Sequence, residues 1–136
     1  MTSYRSDLVV VAAAISAGIH GALAPEHLRE EPAAGVGFAA AAALLALVAV
    51  ALTSRPHEPA ALSAAALVFA GLLLSYGLAV TSGLPLLHPE PEPVDGLGLV
   101  TKAVEAVGLA IALHLIRSLR AVRLPSELDR PEGARA

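Results

Sequence analysis

Apolar and polar positions alternate along this chain in long blocks, not in the short periods of an amphipathic soluble fold. Four apolar blocks run over 8–24, 33–53, 60–81 and 99–116. The first is interrupted only by Ser16 and His20; the second and third carry no charge at all. At about 1.5 Å per residue, the seventeen residues of the first block reach roughly 25 Å, enough to span a bilayer core with their flanks. Open sheet edges cannot sit in lipid, so the blocks are expected to be helices. Their short connections predict an all-α, four-transmembrane-helix antiparallel bundle over residues 1–120. A polar, Arg-rich tail at 121–136 follows.

The connections carry their own signals. Ser54-Arg55-Pro56-His57-Glu58-Pro59 reads as a turn, since proline stops one helix and can open the next. Residues 82–98 form a longer loop with four alternating prolines, each of which pushes its predecessor out of the α region. That loop is expected to be extended. Residues 25–32 form the remaining connection, where Pro25 predicts a kink or a stop in the first helix. A stop would allow a short interfacial helix over 26–31. A secretory signal peptide is the rival reading of the first block, with Ala22-Leu23-Ala24 as the cleavage site. Pro25 would follow the cut and block it, so the block is expected to remain as a span.

Composition agrees with the pattern. Apolar residues make up 56% of the 136-residue chain and charged ones 15%. Soluble domains average roughly 45–50% and about 25%. With no cysteine, disulfides and thiolate metal sites are excluded. No basic stripe with interleaved aromatics occurs, so nucleic acid is not an expected partner. Membrane lipid is, with a homo-oligomer or a membrane-protein partner favoured by small-residue faces such as Gly35-Val36-Gly37 and the run 39–43.

Charge sets the expected orientation. Arg117, Arg120, Arg123, Arg130 and Arg135 crowd the C-terminal tail, whereas 84–98 holds no basic residue. By the positive-inside rule the tail is cytoplasmic and the 82–98 loop is outside. Four spans then put both termini in the cytoplasm of a multi-pass plasma-membrane protein. The acidic, His-bearing connections at 25–32 and 82–98 share the outer face.

The candidate chemistry gathers at that mouth. Ionisable groups inside spans are costly, so each is a functional hypothesis by default. His20 lies near the outer end of the first span, with Glu26 and His27 at its rim. Lys102 and Glu105 are three apart and share a face near the outer end of the fourth. His114 lies nine residues beyond Glu105, on the opposite side and deeper, and is left outside the cluster. Two imidazoles with one or two carboxylates suit a divalent ion such as zinc, copper or iron. The metal set is therefore His20, Glu26, His27 and Glu105, with Lys102 as charge partner. The spacing is far less specific than H-E-x-x-H. Proton or small-solute passage is a second reading. A purely structural Lys102–Glu105 pair, with His20 bonded to a helix carbonyl or to Glu105, is the third. No nucleotide loop and no nucleophile–base order appear, so a non-enzymatic protein is expected. His88, in His88-Pro89-Glu90, is read as part of a solvated loop.

Ile19-His20 with Ala24-Pro25-Glu26-His27-Leu28 and Glu30, followed by Gly35, Gly37 and Phe38, resembles the opening of a group of small four-span, actinobacterial-like membrane proteins. Their openings read roughly "IH…PEH…E…G.FF". Thr81-Ser82-Gly83-Leu84-Pro85, then Glu92-Pro93-Val94 and Lys102-Ala103-Val104-Glu105, are similar to that group's "T.GIP" turn, E-x-V stretch and K-x-x-E helix start. The resemblance covers both hairpins and implies four spans, but no activity. Tryptophan and glutamine near Glu30 and in the second span, and an arginine in the turn at Ser82, belong to the group's pattern and are absent here.

Overall fold

A computed structural model describes residues 2–85 and 89–123. The tail from 124 on and His88 lie outside the described residues. Four α-helices follow in order: α1 (Thr2–Glu30), α2 (Pro32–Ser54), α3 (Pro59–Thr81) and α4 (Gly96–Arg123). All four are long and apolar enough to cross a membrane. Ala and Leu dominate them, residues that lose little freedom in a helix.

Pro32 and Pro59 both occupy the first turn of their helices, where a missing N–H costs nothing. Gly83 ends the α3 side of the loop with φ of 72°, a left-handed conformation that favours glycine. The described parts of the 82–95 connection are non-helical, in keeping with their prolines. α4 runs longer than its apolar block, and the first arginines of the tail, Arg117 and Arg120, lie on its final turns.

The clearest departure is at Pro25. The chain neither stops nor forms a separate interfacial helix there: α1 is continuous to Glu30, with Pro25 inside it. Glu31 alone, extended at φ −140° and ψ 92°, separates α1 from α2. Its N–H donates to the His27 carbonyl and its carbonyl accepts from Gly35 N–H. Packing accounts for the continuity. Gly35 lies directly on the α1 backbone at Leu28; a Cβ there would stand 2.5 Å from the Leu28 Cα. Such close approach supplies the van der Waals contact that joins helices in lipid, and it outweighs the local cost of the proline.

α1 packs against both α2 and α4, and α3 packs against α4 and, more sparingly, α2. One half of the bundle is a closed apolar core. Val9, Ala12 and Ala13 of α1 meet Leu45, Val48 and Leu52 of α2, Leu62 and Phe69 of α3, and Ala112 and Leu115 of α4. Gly108 makes room for Phe69, whose ring would sit 2.7 Å from an added Cβ. Ser6 donates to the Pro56 carbonyl at 2.9 Å, tying the start of α1 to the α2–α3 turn. Arg5 and His114 pair across α1 and α4, away from the polar cluster.

Candidate functional site

Six of the hydroxyls on these helices bond only to their own helix backbone. Thr53, Ser54, Ser75, Thr81, Thr101 and Ser118 each donate to the carbonyl four residues back. Such groups are satisfied within their own helix and offer no chemistry. Ser16 is different: its Oγ donates across the bundle to Glu105 Oε1 at 2.6 Å.

Glu105 is the centre of the site. It is fully buried, and its second oxygen accepts from Lys102 Nζ at 2.6 Å. The i,i+3 spacing on α4 places both side chains on one face, as expected. A buried carboxylate needs such partners, because desolvation alone disfavours its charge. His20, 7% exposed, approaches from α1. Its Nδ1 lies 2.9 Å from the Ser16 carbonyl. A carbonyl only accepts, so Nδ1 carries the proton and donates. Nε2 is thereby turned toward Glu105 Oε1, at 3.9 Å. His27 repeats the device two turns later, with Nδ1 donating to the Leu23 carbonyl at 3.0 Å.

Phe38 of α2 connects the two imidazoles. Its ring stacks on His27 at 4.1 Å between centroids and tilts against His20 at 5.4 Å. Lys102 Nζ also lies 5.5 Å from the centroid of the Tyr76 ring, within reach of a cation–π attraction.

These groups line a cavity of about 410 Å³ at one end of the bundle. The C-terminal parts of α1 and α3 and the N-terminal parts of α2 and α4 form its walls, and Leu84, Glu92 and Asp95 of the 82–95 connection close over it. His20, His27, Tyr76 and Lys102 face it; Leu23, Phe38, Leu72 and Leu97 make the rest largely apolar. Glu105 sits behind His20 and Lys102, outside the lining itself. Glu92 is held there by its N–H, which donates to the Ala79 carbonyl at 3.0 Å. Asp95 caps α4 through the N–H of Gly98 at 2.8 Å.

Of the residues picked from sequence, His20, Lys102 and Glu105 form one cluster, and His27 joins them only through the shared cavity and Phe38. Glu26 does not join. It is exposed on the outer side of α1. Helix phase explains this: at about 100° per residue, Glu26 stands roughly 240° from His20 once the helix continues through Pro25. Among the described residues, no group of three or more His, Asp or Glu side chains could hold a metal ion together. Sequence reasoning missed Ser16, Phe38 and Tyr76. Ser16 was the most findable, as the hydroxyl one turn before His20 in an otherwise apolar run.

Together, fold and site define an all-helical protein with four helices suited to crossing a membrane and a buried Ser–Glu–Lys–His cluster beneath a terminal cavity. No family model, curated protein or solved structure matches the chain.

Proposed function

We propose that this chain is a small multi-pass plasma-membrane protein, an antiparallel four-helix bundle with both termini in the cytoplasm, that passes a small solute in a proton-linked way. The Arg-rich C-terminal segment supports this orientation and, with it, a cavity that opens on the outer face. The observation that carries the functional reading is Glu105: a fully buried carboxylate within a span, separated from a cavity by one histidine and one lysine. Intramembrane carboxylate–histidine arrangements are the ordinary parts of proton relays. A proton taken up at His20 Nε2 from the cavity passes on to Glu105 Oε1, 3.9 Å away, neutralises the carboxylate and weakens its hold on Lys102. The closed apolar core in the other half keeps the site from being an open pore.

Uptake into proteoliposomes under an imposed pH gradient, run over small weak acids, weak bases and neutral solutes, is the test. Gradient-dependent uptake by the wild type that disappears in Glu105→Gln supports the reading. Uptake indifferent to both the gradient and that substitution removes it.

Divalent-metal binding or hand-over is the second reading, favoured by one specific feature. Both imidazoles give Nδ1–H to a backbone carbonyl, which leaves Nε2 as the acceptor in the tautomer that metal ligands use. With Glu26 elsewhere, the ligands would be drawn from His20, His27 and Glu105, which do not converge on one point here, so Phe38 would have to move aside and the side chains close up. Zinc, copper or iron retained through purification by the wild type and lost in His20→Ala would favour it. Unchanged thermal stability on metal addition would exclude it.

A further inference from the structure

The cavity has a neighbour. A second hollow, of about 400 Å³, lies between α2 and α3, and Gly37, Ala41 and Leu72 line both. Its remaining walls include Leu44 and Leu67, which are 51% and 74% exposed. On helices that cross a bilayer, that exposure is to lipid. The α2–α3 interface is also sparer than those of α1 with α2, α1 with α4 and α3 with α4. Small residues line the gap, and a Cβ added at Gly71 would meet nothing within 4 Å. An apolar passage thus adjoins the polar cavity from the side of the membrane.

The far end of that passage holds an unspent donor. The Tyr76 hydroxyl is buried and has no hydrogen-bond partner among the described residues, although Tyr76 lines the cavity. A buried hydroxyl left unpaired is costly, and an acceptor on a ligand would relieve it. The Nε2 atoms of His20 and His27 are acceptors for a ligand O–H or N–H. The cation at the cavity, Lys102, is already neutralised by Glu105, so nothing there calls for an anion.

We propose that the solute is a neutral, lipid-soluble molecule with a hydrogen-bonding polar end, and that it reaches the cavity sideways from the bilayer through the gap between α2 and α3. The polar end accepts a hydrogen bond from the Tyr76 hydroxyl and donates one to an imidazole Nε2. The apolar body lies along Leu72 and Phe38. This rests on the solute-passage reading above and names its substrate class and route.

Photolabelling of the full chain in lipid nanodiscs tests it. The probes are a long-chain alcohol carrying a diazirine and the matching hydrocarbon without the hydroxyl, with labelled residues mapped by mass spectrometry. The alcohol is expected to label cavity residues such as Leu72 and Phe38 in preference to the hydrocarbon. Tyr76→Phe should reduce that preference roughly fivefold, the equivalent of about one net hydrogen bond. Gly71→Leu, which fills open space, should block cavity labelling while leaving thermal stability unchanged. Ala40→Leu, on the opposite exposed wall, provides the same block should Gly71→Leu misfold. Equal labelling by both probes overturns the proposal, as does cavity labelling that persists in both plugged variants. Cross-links between α2 and α3 of two copies with no labelling of the cavity also overturn it, because the gap is then an interface. Cavity labelling without proton-linked uptake would sink the transport reading alone. Proton-linked uptake without labelling would sink the lateral route alone.

Discussion

The two ends of this bundle are built from the same helices and obey different rules. At one end Val9, Leu45, Leu52, Leu62, Phe69 and Leu115 close the core with hydrocarbon, and the polar cross-ties are Ser6 to Pro56 and Arg5 to His114. At the other, His20, Lys102 and Glu105 sit against Ser16 beneath a cavity. Lipid offers no hydrophobic drive for one helix to join another, so the closed end can be explained by close packing alone. The cavity end cannot. It buries a carboxylate and leaves space beside it, and neither feature is needed to hold four helices together.

Substitutions sharpen that contrast, and the largest effect belongs to the cavity end. Lys102→Ala strips Glu105 of its cation in a buried site. Removing one member of a buried pair typically costs about 3–5 kcal/mol, so a large drop in melting temperature in detergent is expected. The double variant Lys102→Met with Glu105→Met should recover most of it, because an apolar pair of similar size carries no uncompensated charge. If the double variant is as unstable as the single one, the pair is not what was lost. Next comes Gly35→Val, which drives side-chain atoms into the Leu28 backbone. Overpacking of this kind costs about 1–3 kcal/mol and here should also split α1 from α2. A loss of protection from hydrogen exchange centred on 25–38 would report it.

Ser16→Ala follows. It leaves Glu105 Oε1 without its donor and should cost about 1–3 kcal/mol. Ser6→Ala, at the closed end, removes one hydrogen bond to a turn carbonyl and should cost about 1 kcal/mol. The order of these two serines is the point. Equal costs would mean that the carboxylate makes no special demand on its partners.

The sequence carried much of the closed end and only part of the cavity end. Long uncharged blocks, and prolines in the first turns of α2 and α3, define the helices directly. The i,i+3 spacing of Lys102 and Glu105 makes their pairing readable as soon as α4 is a helix. Pro25 misleads because its local cost competes with a tertiary gain that no local pattern shows, the fit of Gly35 onto Leu28. Glu26 is lost from the cluster for the same reason: its direction depends on whether the helix continues. Phe38 and Tyr76 are aromatic residues in apolar runs, and nothing in the sequence says which face of a lipid-buried helix they occupy. That face is set by the neighbouring helices, which in a membrane do not have to match a single hydrophobic stripe.

The central claim is that Glu105 exchanges a proton with the cavity and is not merely a fixed member of an ion pair. Infrared difference spectroscopy of the reconstituted protein, titrated across the pH range in which it stays folded, tests this most directly. A carboxylic-acid C=O band should appear reversibly on acidification. It should be missing from Glu105→Gln and should shift in frequency in Ser16→Ala, whose hydroxyl donates to that carboxyl group. A spectrum identical in wild type and Glu105→Gln throughout the titration would contradict the account and leave Glu105 and Lys102 as structure alone.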